Sequence, residues 1–416
     1  MSPRIGIIGC GRILNAHLRG LKLLQDRGLA DFTITALCSR NIQDARMFRS
    51  PEDGVAPREP VTDAPADGLS ARHQYVSELQ AESPAIYDDY RQVVADENVD
   101  AAIVLTALDS HHEICVALAE AGKHVFVEKP LAITVAAGRR MVLAADRAGV
   151  VLATAEVARF KADCRARHWA IEAGRIGDVQ MVLSGMMGHP DWSPDHIVGD
   201  TPGRHHKLRG GGGPTIDLGV HRLNQIEYEC GPIEAISAVA ATTEQVRRYR
   251  PDAPFAGTIE SDAEDTAFAT LRFVSGAVGT LLFTWGGRGR LVEVPAFAIS
   301  GSTGGIFETE LTDGNGARAD VIATMRADAA PESLEAWFPG GIDDAFALEA
   351  LDWFAAIESG APAEVDGQAG LRDLAAALAI LESDIAHREV TIESVLNGEV
   401  DAYQRPIDRE LGIRPG

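Results

Sequence analysis

The first residues of the chain limit its fold more than any other stretch. Residues 5–8 form a short apolar run, Gly9-Cys10-Gly11 follows at once, and leucines at helical spacing come next. A strand, a tight glycine turn and a helix N-terminus in this order form the pocket for a dinucleotide pyrophosphate, because glycines let the backbone approach and free N–H groups face the anion. Leu14 replaces the third glycine of the usual fingerprint, so strand and helix are expected to pack slightly differently. The stretch predicts a Rossmann unit.

Strand and helix patterns alternate from there to about residue 154. Strands are predicted at residues 32–38, 101–106, 124–127 and 150–154, and helices at residues 87–94, 111–121 and 136–148. This is the spacing of βαβ units, and it predicts a doubly wound parallel sheet. Residues 50–84 interrupt the pattern with a stretch rich in Pro, Asp and Ala, which we interpret as a surface insertion. A passive loop is the preferred interpretation, and a lid or an oligomer contact are the alternatives.

The second half of the chain has a different pattern. Alternation of apolar and polar residues predicts a sheet with one covered face, with strands at 179–185, 235–241, 266–273, 278–285 and 297–300. Amphipathic helices are predicted at 161–173, 346–359 and 370–387, and an acidic loop at 244–264. We therefore divide the 416 residues into a Rossmann domain, 1–155, and a substrate-binding and oligomerisation domain, 156–416.

The composition excludes several classes of partner. Hydrophobic residues make up 46% of the chain and charged residues 24%, as in ordinary globular proteins. The net charge of −23 argues against nucleic acid or an anionic membrane as a partner, because like charges repel. No apolar run could span a bilayer and the first residues carry no signal-peptide pattern, so we expect a cytoplasmic protein. The five scattered cysteines predict buried thiols and neither disulfides nor a zinc site.

The end of the second strand bears on the choice of cofactor. In a Rossmann unit, an acidic residue at this point binds the 2′-hydroxyl of the adenosine ribose and selects NAD. This chain has Ser39-Arg40-Asn41 there, and a hydroxyl beside a guanidinium suits a 2′-phosphate. NADP is therefore favoured over NAD. The alternative is that Arg40 stacks on the adenine and tolerates either cofactor.

Glu128-Lys129-Pro130 is the first stretch with candidate chemistry. It follows the predicted strand at 124–127, and sheets of this type bind ligands at the carboxyl ends of their strands. A lysine there can hydrogen-bond a substrate hydroxyl and stabilise the alkoxide. A cis bond before Pro130 would turn the lysine into the cleft. The alternative is an exposed lysine that simply ends a strand, the usual environment of this residue type.

Asp217 and His221 form the second candidate stretch, directly after glycines at residues 210–213. Their four-residue spacing places both on one face if they share a helix, and a carboxylate beside an imidazole can fix its tautomer and raise its basicity. A surface pair is the alternative. The glycines would let the backbone pass close to a substrate or a nicotinamide.

The irregular segment at 186–209 is rich in side chains that suit a polyhydroxylated ligand. Tryptophan can cover a sugar face, and histidine and arginine can bind hydroxyls or a carboxylate. We predict that Trp192, Arg204, His205 and His206 bind the substrate. The spacing of the histidines is irregular and no matching carboxylates accompany them, so no metal site is predicted.

Together these residues resemble the glucose–fructose oxidoreductase / inositol dehydrogenase (Gfo/Idh/MocA) family. The segments that carry the resemblance are Gly9-Cys10-Gly11-Arg12-Ile13 with His17, and residues 100–104, 121–131, 211–221 and 299–305. The resemblance covers nearly the whole chain apart from the insertion. It implies an α/β protein with an N-terminal Rossmann domain and a C-terminal α+β domain. The C-terminal domain would have a large, mainly antiparallel open sheet, which commonly mediates homodimers or homotetramers.

The resemblance also implies roles for single residues. Lys129, Asp217 and His221 match the family's catalytic lysine, aspartate and histidine. Thr106 and His111 match the family's Thr-Pro-Asn-x-x-His stretch, whereas Ala107 and Leu108 replace its proline and asparagine. At these two positions backbone contacts to the nicotinamide ribose are expected in place of side-chain contacts. The residues predicted to bind the cofactor are Gly9, Gly11, Arg12, Ile13, Ser39, Arg40, Thr106, His111, Glu128, Lys129 and Pro130.

The sequence thus predicts an NAD(P)-dependent oxidoreductase that transfers hydride to or from a secondary alcohol of a sugar, a cyclitol or a sugar derivative. His221 would accept the proton in alcohol oxidation, Asp217 would orient His221, and Lys129 would polarise the substrate oxygen. Which of Lys129 and His221 is the formal base stays open. One alternative is a glycosidase or lyase that oxidises its substrate transiently with a held NAD. The other is a non-catalytic sensor of NAD(P) or its ligand.

Overall fold

The computed structural model describes residues 2–60, 68–187, 202–248, 258–285 and 295–413. Its first six strands are Arg4–Ile8 (β1), Thr33–Cys38 (β2), Ala85–Tyr87 (β3), Ala101–Val104 (β4), His124–Glu128 (β5) and Leu152–Ala155 (β6). They form one parallel sheet in the order β3-β2-β1-β4-β5-β6, which is the Rossmann order and confirms the prediction. The order reverses between β1 and β4, so a crevice for a dinucleotide opens at the carboxyl ends of these strands.

Apolar burial explains why these segments form a covered sheet. Every residue of β4 and β6 is buried, as expected for strands with helices on both faces. The helices are Leu14–Asp26, Ile42–Arg49, Tyr90–Ala95, His111–Glu120 and Val135–Ala148. Local signals set their ends: Thr134 caps the last of them by accepting the N–H of Ala137, and Gly149 ends it in the left-handed conformation.

The described part of the insertion lies against the Rossmann domain. It contains short 3-10 helices at Pro51–Asp53, Gly68–Ser70 and Val76–Glu78. Arg12, in the glycine turn, donates to the carbonyl oxygen of Glu59. Strand β3 follows the insertion and was not predicted, because three half-buried residues give no apolar period.

Eleven further strands lie in the described residues of the second half. They are Val179–Met187 (β7), Ile233–Ala241 (β8), Val246–Arg248 (β9), Thr258–Glu260 (β10), Thr266–Phe273 (β11), Val278–Thr284 (β12), Ala298–Gly301 (β13), Gly305–Phe307 (β14), Glu310–Thr312 (β15), Arg318–Asp320 (β16) and Val390–Thr391 (β17). Nine of them form a sheet in the order β16-β15-β14-β13-β7-β12-β11-β8-β17. Only the β7–β12 pairing in it is parallel, which confirms the large, mainly antiparallel sheet.

Buried and exposed residues alternate along β11, so one face of this sheet is covered, as predicted. The predicted loop at 244–264 was wrong in part, because β9 and β10 pair as a small antiparallel sheet within it. Both strands carry charged side chains, such as Arg247 and Glu260, so their sequences lack the alternation of apolar and polar residues by which strands were predicted in the second half of the chain.

Helices cover the sheet and connect it to the Rossmann domain. They are Ala162–Glu172, Lys207–Gly210, Pro214–Asp217, Gly219–Cys230, Val321–Asp328, Pro331–Trp337, Ala345–Ser359, Gly367–Ala386, Ile392–Leu396 and Arg405–Glu410. The helix Ala345–Ser359 packs against the first Rossmann helix at Gly20, where an added Cβ would lie 2.7 Å from the Ala347 nitrogen. All five cysteines are buried and free, as predicted. Within the described ranges, no helix has the length and apolar character needed to cross a bilayer.

Candidate active site

Lys129 and Asp217 meet at the carboxyl edge of the parallel sheet. Lys129 directly follows β5, and its peptide bond to Pro130 is cis. Its Nζ donates to the backbone carbonyl of Asp217 at 2.5 Å and lies 3.3 Å from Oδ1 of the same residue. Asp217 ends the short helix Pro214–Asp217, so the second domain contributes one wall of the crevice at this point.

The Asp217 carboxylate lies between two cations. Its Oδ2 atom accepts a hydrogen bond from Arg204 Nη1 at 3.0 Å, while Oδ1 faces Lys129. Burial alone would raise the pKa of Asp217, but the charges of Arg204 and Lys129 outweigh burial and hold this pKa well below its usual range. Arg204 was predicted to bind the substrate, and here its guanidinium holds Asp217 as an anion.

His221 does not pair with Asp217. The two residues lie on separate helices, because the helical structure is interrupted at Leu218. Among the described residues, the polar partners of Asp217 are Lys129 and Arg204, and the Nδ1 atom of His221 contacts a carboxylate oxygen of Glu156. The prediction that Asp217 orients this imidazole is therefore wrong.

Glu156 is the site residue that the sequence interpretation missed. It directly follows β6, as Lys129 follows β5, and its side chain is 1% exposed. A polar residue after a buried parallel strand is the signal that identified Lys129, and it could have identified Glu156. The Nε2 atom of His221 has no hydrogen-bond partner among the described residues, and 24% of the side chain is exposed. This nitrogen is therefore available to a ligand.

Glu128 and His17 form a second carboxylate–imidazole pair in the crevice. His17 Nε2 lies 3.0 Å from Glu128 Oε1, and its Nδ1 lies 3.9 Å from Glu349. Burial favours the protonated form of Glu128, but the bond to His17 and the nearby Lys129 outweigh it and lower the pKa. A cofactor contact by Glu128 would therefore use the oxygen that His17 leaves free.

His111 joins two loops of the crevice. Its Nδ1 lies 3.1 Å from the carbonyl oxygen of Pro130, and its Nε2 lies 3.0 Å from that of Thr106. Burial lowers the pKa of this ring, which favours the neutral form with a single N–H. The predicted cofactor contact of His111 was wrong as far as its ring nitrogens are concerned, because both face the backbone. With a single N–H, His111 donates to one of these two carbonyls and packs between the loops that follow β4 and β5.

The glycine run packs against the protein itself. A Cβ on Gly213 would lie 1.7 Å from the carbonyl oxygen of Glu264. The Glu264 carboxylate accepts the N–H groups of Gly213 at 2.9 Å and Thr215 at 3.1 Å. These contacts fix the start of the helix that carries Asp217. At Gly213, close packing on Glu264 accounts for the glycine, and the predicted close approach to a substrate or a nicotinamide is not needed to explain it.

The residues predicted to bind the substrate lie in different environments. The ring of His205 is buried against Arg247 and Trp285, and burial with the Arg247 charge lowers its pKa to about 3. The prediction for His205 was wrong, because protein atoms enclose the ring. His206 lies at the surface, with 43% of its side chain exposed. Trp192 lies outside the described residues.

The glycine turn after β1 fits a dinucleotide. Gly9 has a φ of +103°, and a Cβ there would lie 2.5 Å from the backbone of Leu105. A Cβ on Gly11 would meet nothing within 4 Å, so open space adjoins the start of the helix Leu14–Asp26. Ile13, the residue before that helix, provides no side-chain cap. Open space beside an uncapped helix N-terminus suits a pyrophosphate.

The end of β2 lies where a Rossmann domain contacts the adenosine ribose. Arg40 is exposed and forms no ion pair within the described ranges. Asn41 accepts the N–H of Gln43 and so caps the next helix. The first carboxylate in that helix, Asp44, pairs with Arg58 at 2.6 Å. Ser39 and Arg40, and not a carboxylate, directly follow β2, where a Rossmann domain binds the ribose 2′-hydroxyl.

Sequence comparisons agree with this geometry. Residues 3–156 match the oxidoreductase family with an NAD-binding Rossmann fold, named Gfo/Idh/MocA. Residues 165–307 match the Gfo/Idh/MocA C-terminal domain. The chain belongs to this family. The resemblance found in the sequence is thereby confirmed, and the parallel sheet is an NAD-binding Rossmann domain.

Relatives with named activities span most of the chain. Myo-inositol 2-dehydrogenase of Thermotoga maritima is 26% identical over 404 residues, which are 94% of this chain and 99% of that protein. Levoglucosan dehydrogenase of Pseudarthrobacter phenanthrenivorans is 29% identical over 311 residues, 67% of this chain and 77% of that protein.

Solved structures show the same fold at lower identity. An oxidoreductase domain protein from Kribbella flavida has a TM-score of 0.74 at 23% identity, and covers 94% of this chain and 100% of its own. Levoglucosan dehydrogenase in complex with NADH and levoglucosan has a TM-score of 0.72 at 21% identity, with the same coverage of 94% and 100%.

Proposed function

We propose that this protein is an NAD(P)-dependent dehydrogenase that acts on a secondary alcohol of a sugar, a cyclitol or a sugar derivative. One observation carries the proposal: Lys129 and Asp217 meet at the carboxyl edge of the Rossmann sheet, within electrostatic range of a His221 whose Nε2 is unpaired among the described residues. The relatives named for myo-inositol and levoglucosan support a polyhydroxylated substrate.

Lys129 polarises the substrate oxygen in this proposal. Two of its three ammonium protons face Asp217, which leaves one donor for a ligand. Only 15% of the side chain is exposed, so water screens its charge weakly and the charge stabilises a developing alkoxide. Asp217 holds the ammonium in place, and Arg204 holds Asp217.

His221 is the proton acceptor in alcohol oxidation and the donor in ketone reduction. The proton passes between the substrate oxygen and Nε2, the ring nitrogen that the described residues leave free. The nicotinamide cofactor, when bound, supplies the hydride acceptor or donor. The turn at Gly9 and Gly11 would hold its pyrophosphate, and Ser39 with Arg40 favours a 2′-phosphate, so we propose NADP as the better cofactor.

A panel of inositols, anhydrosugars and glycosides, each with NAD⁺ and with NADP⁺, tests this function by the absorbance of the reduced cofactor. We expect at least one substrate to give reduced cofactor and ketone in equal amounts. Lys129→Met should lower kcat/KM by roughly 10²- to 10³-fold, because it removes the cation that polarises the substrate oxygen in this proposal. Turnover without net reduced cofactor would contradict the proposal and favour transient oxidation in a glycosidase or lyase.

The outer face of the nine-stranded sheet is proposed as the contact between copies of the chain. Phe268 on β11 pairs with Val239 on β8, and Val278 on β12 pairs with Met181 on β7. These four side chains are 43–66% exposed. Exposed apolar side chains on one sheet commonly mark a protein–protein interface, which supports the homodimer or homotetramer that the sequence predicts.

A further inference from the structure

Two buried acidic side chains lie near Glu156, which is itself buried. Glu156 follows β6, Glu349 lies on the helix Ala345–Ser359, and Asp373 lies on the helix Gly367–Ala386. They are 1%, 2% and 6% exposed. Glu156 is close enough to repel the negative charge of each of the other two. Burial of several negative charges close together is unfavourable unless cations or hydrogen bonds compensate them.

The contacts of the three groups are of different kinds. Glu156 faces a base, the Nδ1 atom of His221. Asp373 accepts an N–H from Asn224 at 2.7 Å, and burial raises its pKa well above the usual value. Neither oxygen of Glu349 has a hydrogen-bond partner among the described residues, and burial with neighbouring carboxylates raises its pKa well above the usual value. Burial thus favours the neutral acid at Glu349 and at Asp373.

We propose that Glu156 is the positioning residue of the catalytic histidine. Its carboxylate accepts the Nδ1–H of His221, which leaves the lone pair on Nε2 directed at the substrate. As the substrate O–H bond breaks and the Nε2–H bond forms, the ring becomes a cation and the Glu156 carboxylate stabilises it. The Nδ1 proton stays in place throughout. This inference rests on the proposed function, in which His221 exchanges the proton.

The tautomer of His221 provides a readout that needs neither substrate nor cofactor. In the full chain labelled with ¹⁵N-histidine, a long-range ¹H–¹⁵N spectrum separates N–H nitrogens from those with a lone pair, and His221→Asn identifies the signals. We expect Nδ1–H in the wild-type protein. Glu156→Gln should lose this preference, because the amide can donate to Nδ1 and so favours the tautomer protonated on Nε2.

Matched variants separate positioning from packing in the kinetics. Glu156→Gln should lower kcat about 10- to 150-fold with little change in KM, the range expected for loss of one buried hydrogen bond to a charged group. Glu156→Asp keeps the charge and should recover part of kcat. Glu349→Gln and Asp373→Asn replace a neutral acid with a neutral amide, and kcat should stay within about threefold of wild type.

Each outcome bears on one claim. If the wild-type protein turns over a polyol while Glu156→Gln keeps both kcat and the Nδ1–H tautomer, the inference is overturned and the proposed function stands. If no polyol is turned over, the proposed function fails, and the spectrum still decides whether Glu156 fixes the tautomer. Equal losses of kcat in the Glu349 and Asp373 variants would mean that packing of the buried region controls the rate, and would also overturn the inference.

Discussion

The helix that carries Asp217 begins directly after Gly213, where no room exists for a side chain. A Cβ on Gly213 would lie 1.7 Å from the carbonyl oxygen of Glu264, whereas Cβ contacts below 3.0 Å essentially do not occur. Gly213→Ala must therefore move this backbone by about 1.3 Å. A change of rotamer cannot relieve the clash, because it joins the Cβ of the new alanine to a main-chain carbonyl oxygen, and neither atom moves when a side chain rotates.

A shift of this size would disturb the contacts of Asp217 with Lys129, which lie at 2.5 and 3.3 Å. Misplacement of a catalytic group by about 1 Å costs on the order of 10²-fold in rate, so kcat/KM of Gly213→Ala should fall about 100-fold. Overpacking of a buried site should also cost about 1–3 kcal/mol of unfolding free energy. For a protein of 416 residues that loss corresponds to a fall in Tm of roughly 1–3 °C.

Gly219→Ala is the matched control. Gly219 begins the helix that carries His221, and a Cβ there would lie 3.4 Å from Phe283, an ordinary contact. Alanine also favours a helix over glycine, so kcat/KM should stay unchanged and Tm should be equal or higher. Both variants are compared by steady-state kinetics and by calorimetry. Normal kcat/KM and normal Tm in Gly213→Ala would refute the conclusion that Glu264 positions this helix.

Three further predictions concern other parts of the molecule. Arg40→Ala should weaken binding of NADPH more than that of NADH in fluorescence titrations, because only NADPH carries the 2′-phosphate; equal losses would contradict the choice of cofactor. Phe268→Asp should shift the protein to smaller species in sedimentation velocity, because it places a charge among the exposed apolar side chains of the sheet. Val274→Asp, just beyond the end of β11, is the control and should leave the oligomeric state unchanged. An unchanged oligomeric state in Phe268→Asp would mean that the interface lies elsewhere. The pKa of folded His205 is about 3, so between about pH 6.5 and 3 this histidine is protonated in the unfolded chain but not in the folded one. The unfolding free energy should therefore decrease as the pH is lowered through this range, by up to about 1.4 kcal/mol per pH unit. Urea unfolding of His205→Gln should show a shallower pH dependence, and an identical slope would argue against this origin.

Patterns along the sequence predicted most of the architecture. The glycine turn and the alternation of strands and helices predicted the Rossmann sheet, because both signals arise from neighbouring residues. The residue after a buried parallel strand lies at the ligand edge of the sheet, and this rule placed Lys129 correctly at that edge. Weak local patterns failed: β3 has three half-buried residues, and β9 with β10 carries charges in a stretch interpreted as a loop.

The partners within the site were decided by the tertiary structure. Asp217 and His221 are four residues apart, which suggested a pair, but the interruption at Leu218 and the two cations at Asp217 separate them. The contact of His221 with Glu156 joins residues 65 positions apart, and that of Lys129 with Asp217 joins residues 88 apart. The sequence by itself determined the fold class, the dinucleotide turn and the strand end that carries Lys129. Only the tertiary structure decided that Glu156 faces the imidazole, because hydrogen-bond partners across such separations depend on how distant helices and strands pack.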